Sequence, residues 1–152
     1  METTYQLKKI KVMILGGGIN SAVGSAHIAS LKLSGRYEIK AGFFSRNPKI
    51  NEISAKEYGL PTTKIYNDLN SLVSREKDNI DAIIVLTPTD QHFEQVTTCL
   101  KMGIPVICEK ALVGNTFEAT EIKKLLNKKN GFLAVIYNYL GYPMIRELKA
   151  II

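Results

Sequence analysis

A chain of 152 residues, 45% hydrophobic and 22% charged, carries enough apolar material for one globular domain and needs no disulfide or metal to hold it. The net charge of +6 comes from scattered basic residues with no aromatic-plus-basic motif, which argues against nucleic acid as a partner. No stretch approaches the ~18 apolar residues of a membrane span, so no membrane partner is expected.

Cys99 and Cys108 match no zinc or redox spacing. They read as buried free thiols of a cytoplasmic protein, and no metal site is expected. Residues 1–9 read as a polar arm. Lys8, Lys9 and Lys11 ahead of Val12–Leu15 faintly imitate a secretory signal, but the apolar stretch is too short and runs into glycines.

The first predicted strand starts at Ile10, and its near-continuous hydrophobicity suits a parallel strand buried on both faces. It breaks into Gly16-Gly17-Gly18, which supply a turn and let a ligand approach the backbone. Against the template G-x-G-x-x-G, Gly16 and Gly18 match and the third place is Ser21. Gly24, three residues further on, suggests a longer loop before the helix proper. That helix offers unpaired N–H groups and a positive dipole end to a phosphate. Taken alone, such a turn is either a nucleotide site or only a tight bend.

Residues 36–44 read as the second strand. Ser45-Arg46-Asn47-Pro48 closes it, with Asn47 as N-cap and Pro48 in the first helical place; the helix ends near Gly59, ahead of Pro61. Asn67 or Asp68 caps a short helix to about Lys77. Residues 81–86 form the clearest buried strand, and Thr87-Pro88-Thr89-Asp90 turns it into a helix reaching Met102, stopped at Gly103. Residues 105–108 are the next strand, followed by Glu109-Lys110-Ala111. An amphipathic helix runs from Thr116 to about Lys129 and ends at Gly131, with Lys123, Lys124, Lys128 and Lys129 on its solvated face. A strand over residues 132–136 leads through Tyr137–Pro143 into a last helix.

Strands that alternate with helices in this way predict an α/β fold, a doubly wound parallel sheet with right-handed crossovers. A ligand of such a sheet sits outside the carboxyl ends of the strands, at the switch point in strand order. That geometry gathers Gly16–Ser21, Ser45–Arg46, Thr87–Pro88, Glu109–Lys110 and Tyr137–Tyr139 on one rim.

These rim segments resemble one family, the Gfo/Idh/MocA oxidoreductases grouped with glucose–fructose oxidoreductase and inositol 2-dehydrogenase. Thr87-Pro88-Thr89-Asp90-Gln91-His92 is similar to the family's T-P-N-x-x-H, and Gly103 to Lys110 to its G-x-x-V-x-x-E-K-P. Asn138-Tyr139 with Gly141 to Arg146 is similar to N-Y-x-x-x-P-x-x-R. Ala111 replaces the family's proline and Thr89 its asparagine. The resemblance implies an NAD(P)-binding Rossmann domain over residues 1–152, whose last helix leads toward a second α/β domain that the chain lacks. That domain carries the substrate site and the oligomer interface in the family. The implied partners are a nicotinamide dinucleotide and a sugar or cyclitol, with a homo-oligomer open. The rival readings are a free-standing dinucleotide-binding module, such as a redox sensor or assembly subunit, and a member that has lost cofactor binding.

The resemblance and the rim geometry assign residues. Gly16, Gly18 and Ser21 are expected to hold the pyrophosphate through backbone amides, with Ile19 and Asn20 in the same loop. Glu38 lies at the right distance from the glycines but at its strand's start, roughly 20 Å from the rim. Ser45 and Arg46 stand at the strand's end, where a hydroxyl and a guanidinium suit a 2′-phosphate, so the cofactor is NADP or NAD with a lean to NADP or dual use. Thr87, Pro88 and His92 are expected along the nicotinamide ribose, and His27 is read as structural. Lys110 is the catalytic candidate. Glu109 is expected to pair with it or contact the cofactor, and Asn138 to join the cofactor site. Tyr137, Tyr139 and Tyr142 either line the cleft or face a second domain.

Overall fold

The computed structural model describes residues 8–152. Its strands are Ile10–Gly16 (β1), Tyr37–Phe43 (β2), Ala82–Leu86 (β3), Val106–Glu109 (β4) and Leu133–Ile136 (β5). Its helices are Ala22–Ser34 (α1), Pro48–Tyr58 (α2), Leu69–Glu76 (α3), Thr89–Lys101 (α4), Thr116–Lys129 (α5) and Pro143–Ile151 (α6). Tight 3-10 turns lie at Thr62–Lys64, Lys77–Asn79 and Asn138–Gly141. The predicted polar arm falls almost wholly outside the described residues.

All five strands run parallel in the order β2-β1-β3-β4-β5. The chain moves from β1 outward to β2, then crosses back over β1 to lay down β3. Strand order therefore reverses between β1 and β3, and the Rossmann switch point sits where the glycines leave β1.

Side chains alternate across the sheet and build two cores. Met13, Leu15, Ile83, Val85, Val106 and Cys108 pack with Leu72 and Val73 of α3, Val96 and Leu100 of α4 and Ile122 of α5. Val12, Ile14, Ala82, Ile84 and Leu86 pack on the other face with Ile28 and Leu31 of α1 and Ala55 and Tyr58 of α2. All of β3 is buried. Each fully buried aliphatic side chain contributes roughly 1.5–3 kcal/mol, so β3 is the anchor of the sheet. Ile107 belongs with the second core, so Glu109, two residues on, projects to the α1 side.

Helix ends obey their local chemistry. Ser21, Asn47, Asp68 and Asn115 each accept from a first-turn N–H with the side chain. Two boundaries differ from the sequence reading. The chain enters α1 at Ala22, directly after the Ser21 cap, so no longer loop precedes the helix. Asn130, at φ 48°, terminates α5 in place of Gly131, because a short polar side chain tolerates the left-handed region.

The four lysines of α5 are exposed as predicted. Every residue of α6 is exposed too, including the apolar Met144, Leu148 and Ile151. Among the described residues no helix is long and apolar enough to cross a membrane.

Candidate functional site

Gly16 and Gly17 both adopt positive φ, 82° and 68°, where an L side chain is strained. Space excludes one as well: a Cβ on Gly16 would stand 2.8 Å from the Thr87 nitrogen, and one on Gly17 2.7 Å from Leu86 Cδ1. The third close approach belongs to Gly24, where a Cβ would lie 2.2 Å from the Gly17 carbonyl oxygen. The packing place of the fingerprint is therefore Gly24, in the first turn of α1. Ser21, expected there, is the cap, its Oγ accepting from the Gly24 N–H at 3.0 Å.

The expected amide donors are also redistributed. The Ser21 N–H donates to the Gly18 carbonyl at 2.8 Å, and the Ile19 N–H to Ser54 Oγ at 3.0 Å. Both are thereby engaged inside the protein and are not free for a phosphate. Gly16, paired to β3 within the ladder, contributes conformation and not a loop amide. The amides of Gly17, Gly18, Asn20, Ala22 and Val23 meet no acceptor among the described residues, the last two at the end of α1 that carries the positive dipole. Gly17, Gly18, Asn20, Ser21 and Ser45 line an open pocket of about 260 Å³ beside them, with Phe44, Ile50 and Leu86 completing its wall.

Three polar residues of α2, spaced i, i+3 and i+7 and so on one helix face, fix the loops around that cavity. Asn51 Oδ1 accepts from the Phe44 N–H at 2.8 Å while its Nδ2 donates to the Tyr66 carbonyl at 2.7 Å. Ser54 holds the Ile19 amide, and the Tyr58 hydroxyl donates to the Gly17 carbonyl at 2.8 Å. All three are buried. Burial, with Glu57 nearby, pushes the Tyr58 phenol above its ordinary pKa, so it remains a donor. Nothing in the local sequence announces them. A polar stripe on an amphipathic helix reads as its wet face, and only the loops packed on α2 make it dry.

Beyond β2, the Ser45 hydroxyl accepts from the Asn47 N–H at 3.1 Å, and Arg46 is exposed with no acidic partner among the described residues. Glu38 pairs with Lys40 at 2.6 Å near the far end of the strand, where that hydrogen bond lowers its pKa.

At the end of β3, Thr87 turns its hydroxyl to Gln95 Oε1, and exposed Pro88 opens α4. His92 does not stand where a ligand contact requires. It is wholly buried, with Nε2 2.7 Å from the Thr87 carbonyl oxygen and Nδ1 2.8 Å from that of Ala111. Both ring nitrogens face protein backbone, so the expected cofactor contact is replaced by a link between two loops.

At the end of β4, Glu109 Oε1 lies 2.8 Å from His27 Nε2, and its Oε2 accepts from the Lys110 N–H at 3.1 Å. Glu109 thus engages the backbone of Lys110 and a histidine of α1, not the Lys110 ammonium. Lys110 itself is exposed, and the peptide bond to Ala111 is cis. Glu109, Lys110 and Asn138 share a second cavity of about 470 Å³, walled by Val23, Ala26, His27 and Ser30 of α1 and by Ile136 and Tyr139. Tyr137, Tyr139 and Tyr142 are exposed, the last two edge to face at 5.4 Å.

A parallel sheet whose switch point carries a bend closed to a Cβ at Gly16 and Gly17, followed by free amides leading into a helix, is the arrangement of a dinucleotide-binding α/β unit, in which a diphosphate meets the helix start. The family model described as an oxidoreductase family with an NAD-binding Rossmann fold matches residues 10–137, and this chain belongs to that family, the Gfo/Idh/MocA oxidoreductases. An uncharacterised oxidoreductase of Bacillus subtilis is 29% identical over 149 residues, which cover 95% of this chain and 38% of that protein. The scyllo-inositol 2-dehydrogenase (NADP+) of the same organism is 26% identical over 129 residues, 85% of this chain and 33% of its own. The crystal structure of an inositol dehydrogenase homologue complexed with NAD+, from Azotobacter vinelandii, aligns with a TM-score of 0.86 at 29% identity, over 95% of this chain and 38% of that one. The chain spans between a third and two-fifths of the length of these relatives.

Proposed function

We propose that this chain binds NAD or NADP for an oxidoreductase that exchanges hydride with a secondary alcohol carbon of a sugar or cyclitol. The observation that carries the reading is the set of free amides at Gly17, Gly18, Asn20, Ala22 and Val23, in and beside a bend that admits no side chain at Gly16 or Gly17. The inositol dehydrogenases among the similar proteins support the substrate class.

Bound at this rim, the cofactor supplies the hydride acceptor or donor. The chain's own groups do the rest. Gly16, Gly17 and Gly24 shape the bend, Gly18 and Ser21 border it, and the free amides with the α1 dipole neutralise the diphosphate. Ser45 and Arg46 take the adenosine ribose, where the guanidinium favours a 2′-phosphate. Thr87 and Pro88 form the strand end along which the nicotinamide half passes. Lys110 brings its ammonium to the end of β4, where it orients the substrate hydroxyl and offsets the negative charge on that oxygen as the proton passes to solvent; Asn138 borders the same cavity. Hydride transfer needs its two carbons ~3–3.5 Å apart, so such positioning is the main service a side chain can render.

Thermal unfolding with NADH and with NADPH tests the reading. At 100 times its Kd either ligand adds ~2.7 kcal/mol of stability. A melting temperature unmoved by both would overturn it.

A further inference from the structure

The chain contains two histidines, and both end on the residues flanking Lys110. From the α1 face of the sheet, His27 Nε2 reaches Glu109 Oε1 at 2.8 Å. From α4, which packs on the opposite face, buried His92 presents Nδ1 to the Ala111 carbonyl oxygen at 2.8 Å. The His27–Glu109 contact is largely shielded, the side chains being 19% and 14% exposed. Each contact also reaches a second group: Glu109 accepts from the Lys110 N–H, and His92 Nε2 stands 2.7 Å from the Thr87 carbonyl oxygen, which it holds only where that nitrogen also carries hydrogen.

We infer that His27 and His92 are positioning residues that brace the Lys110 backbone from opposite faces of the sheet and so aim its side chain. A lysine ammonium on four flexible carbons is poorly directed by itself. Fixing the backbone on both sides sets the origin and direction from which the side chain starts, which packing does not do for an exposed Lys110. The two braces are chemically unlike. His27 is a donor to a carboxylate, and His92 stands between two carbonyls that can only accept, so its grip on Ala111 requires hydrogen on Nδ1.

The inference rests on the reading of Lys110 as the group beside the nicotinamide, and the test separates the two. NADH and ADP-ribose are titrated against the wild-type chain and the variants Lys110→Met, His27→Gln and His92→Gln, with the fluorescence lifetime of bound NADH as a second signal. ADP-ribose lacks the nicotinamide and serves as the internal control. Both histidine variants are expected to weaken NADH roughly 3–10-fold, about one hydrogen bond's worth, to shorten the bound lifetime and to leave ADP-ribose unchanged. Lys110→Met is expected to do the same. Equal loss for both ligands, or loss for neither, in the histidine variants would overturn the brace. Identical NADH binding and lifetime in the wild-type chain and Lys110→Met would overturn the Lys110 reading instead. Nitrogen-resolved NMR of the unaltered chain decides the matter should a variant fail to fold: hydrogen on His92 Nδ1 and on His27 Nε2 is expected, and a bare nitrogen at either place sinks the corresponding brace.

Discussion

The two ends of the rim are built on different principles. At the glycine end the chain works through backbone: positive φ at Gly16 and Gly17, a Cβ-free contact at Gly24, and loop groups fastened from α2. At the lysine end it works through side chains, with Glu109, His27 and His92 arranged about one exposed lysine. Backbone geometry gives a diphosphate a surface that depends little on which residues supply the amides. Side-chain geometry instead directs a particular functional group at a particular atom. On the proposed function, the difference separates holding a cofactor from acting on a substrate.

The largest expected effect lies at the glycine end. In an ordinary helix Gly→Ala gains up to ~1 kcal/mol, but at Gly24 the new methyl would overlap the Gly17 carbonyl. Overpacking costs ~1–3 kcal/mol, and a clash with backbone, which cannot swing aside, takes the upper end, so Gly24→Ala should lose about 2 kcal/mol net in urea denaturation, together with most cofactor affinity. A neutral or stabilising outcome would remove the close packing from the glycine end. Next comes Tyr58→Phe, which leaves the Gly17 carbonyl without its donor. A loss of ~1–2 kcal/mol is expected in the same assay.

Arg46→Ala sharpens the comparison by touching binding without stability. Because the side chain is exposed, the melting temperature should stay put. NADPH affinity should fall about tenfold, ~1.4 kcal/mol, and NADH affinity far less, as calorimetric titration of both would measure.

The smallest effects concern the thiols beneath β4. Burial pushes Cys99 and Cys108 up to about 12, with Glu109 adding to Cys108. Both should resist a thiol-disulfide reagent at pH 8 in the folded chain. Burial first and Glu76 second also push Tyr66 to about 12. Since these groups bind their protons more tightly folded than unfolded, their contribution is complete below pH ~9 and disappears as pH climbs toward about 12. Alkaline denaturation monitored by circular dichroism should begin in that window and shift upward in Cys99→Ala.

The glycine end is legible because its signals are local. Val12–Leu15 is a continuous apolar run, the glycines come at once, and Asn47-Pro48 marks a helix start in two residues. Periodicity alone places the five strands nearly to the residue. What escapes is decided by partners far along the chain. Ser54 and Ile19 are 35 residues apart, Tyr58 and Gly17 41, and His27 and Glu109 82, so no window of sequence contains both. The template puts Ser21 in the packing place because it counts residues, while the fold counts contacts, and Gly24 is the residue α1 lays on Gly17. The motif assigns His92 to the ligand, yet 0% exposure and two carbonyl neighbours give it to the protein.

The polar face of α2 has a mechanical consequence. Asn51, Ser54 and Tyr58 hook the β2 exit and the glycine bend to the same rigid rod. Any tilt of that rod carries both loops together, so the β2 exit and the glycine bend, proposed to seat adenosine and diphosphate, move as one. One residue inserted in α2 rotates the rest of the helix by about 100° and unhooks whatever lies beyond it. On the proposed function, the separation between two parts of a bound dinucleotide is thus gauged by the pitch of α2.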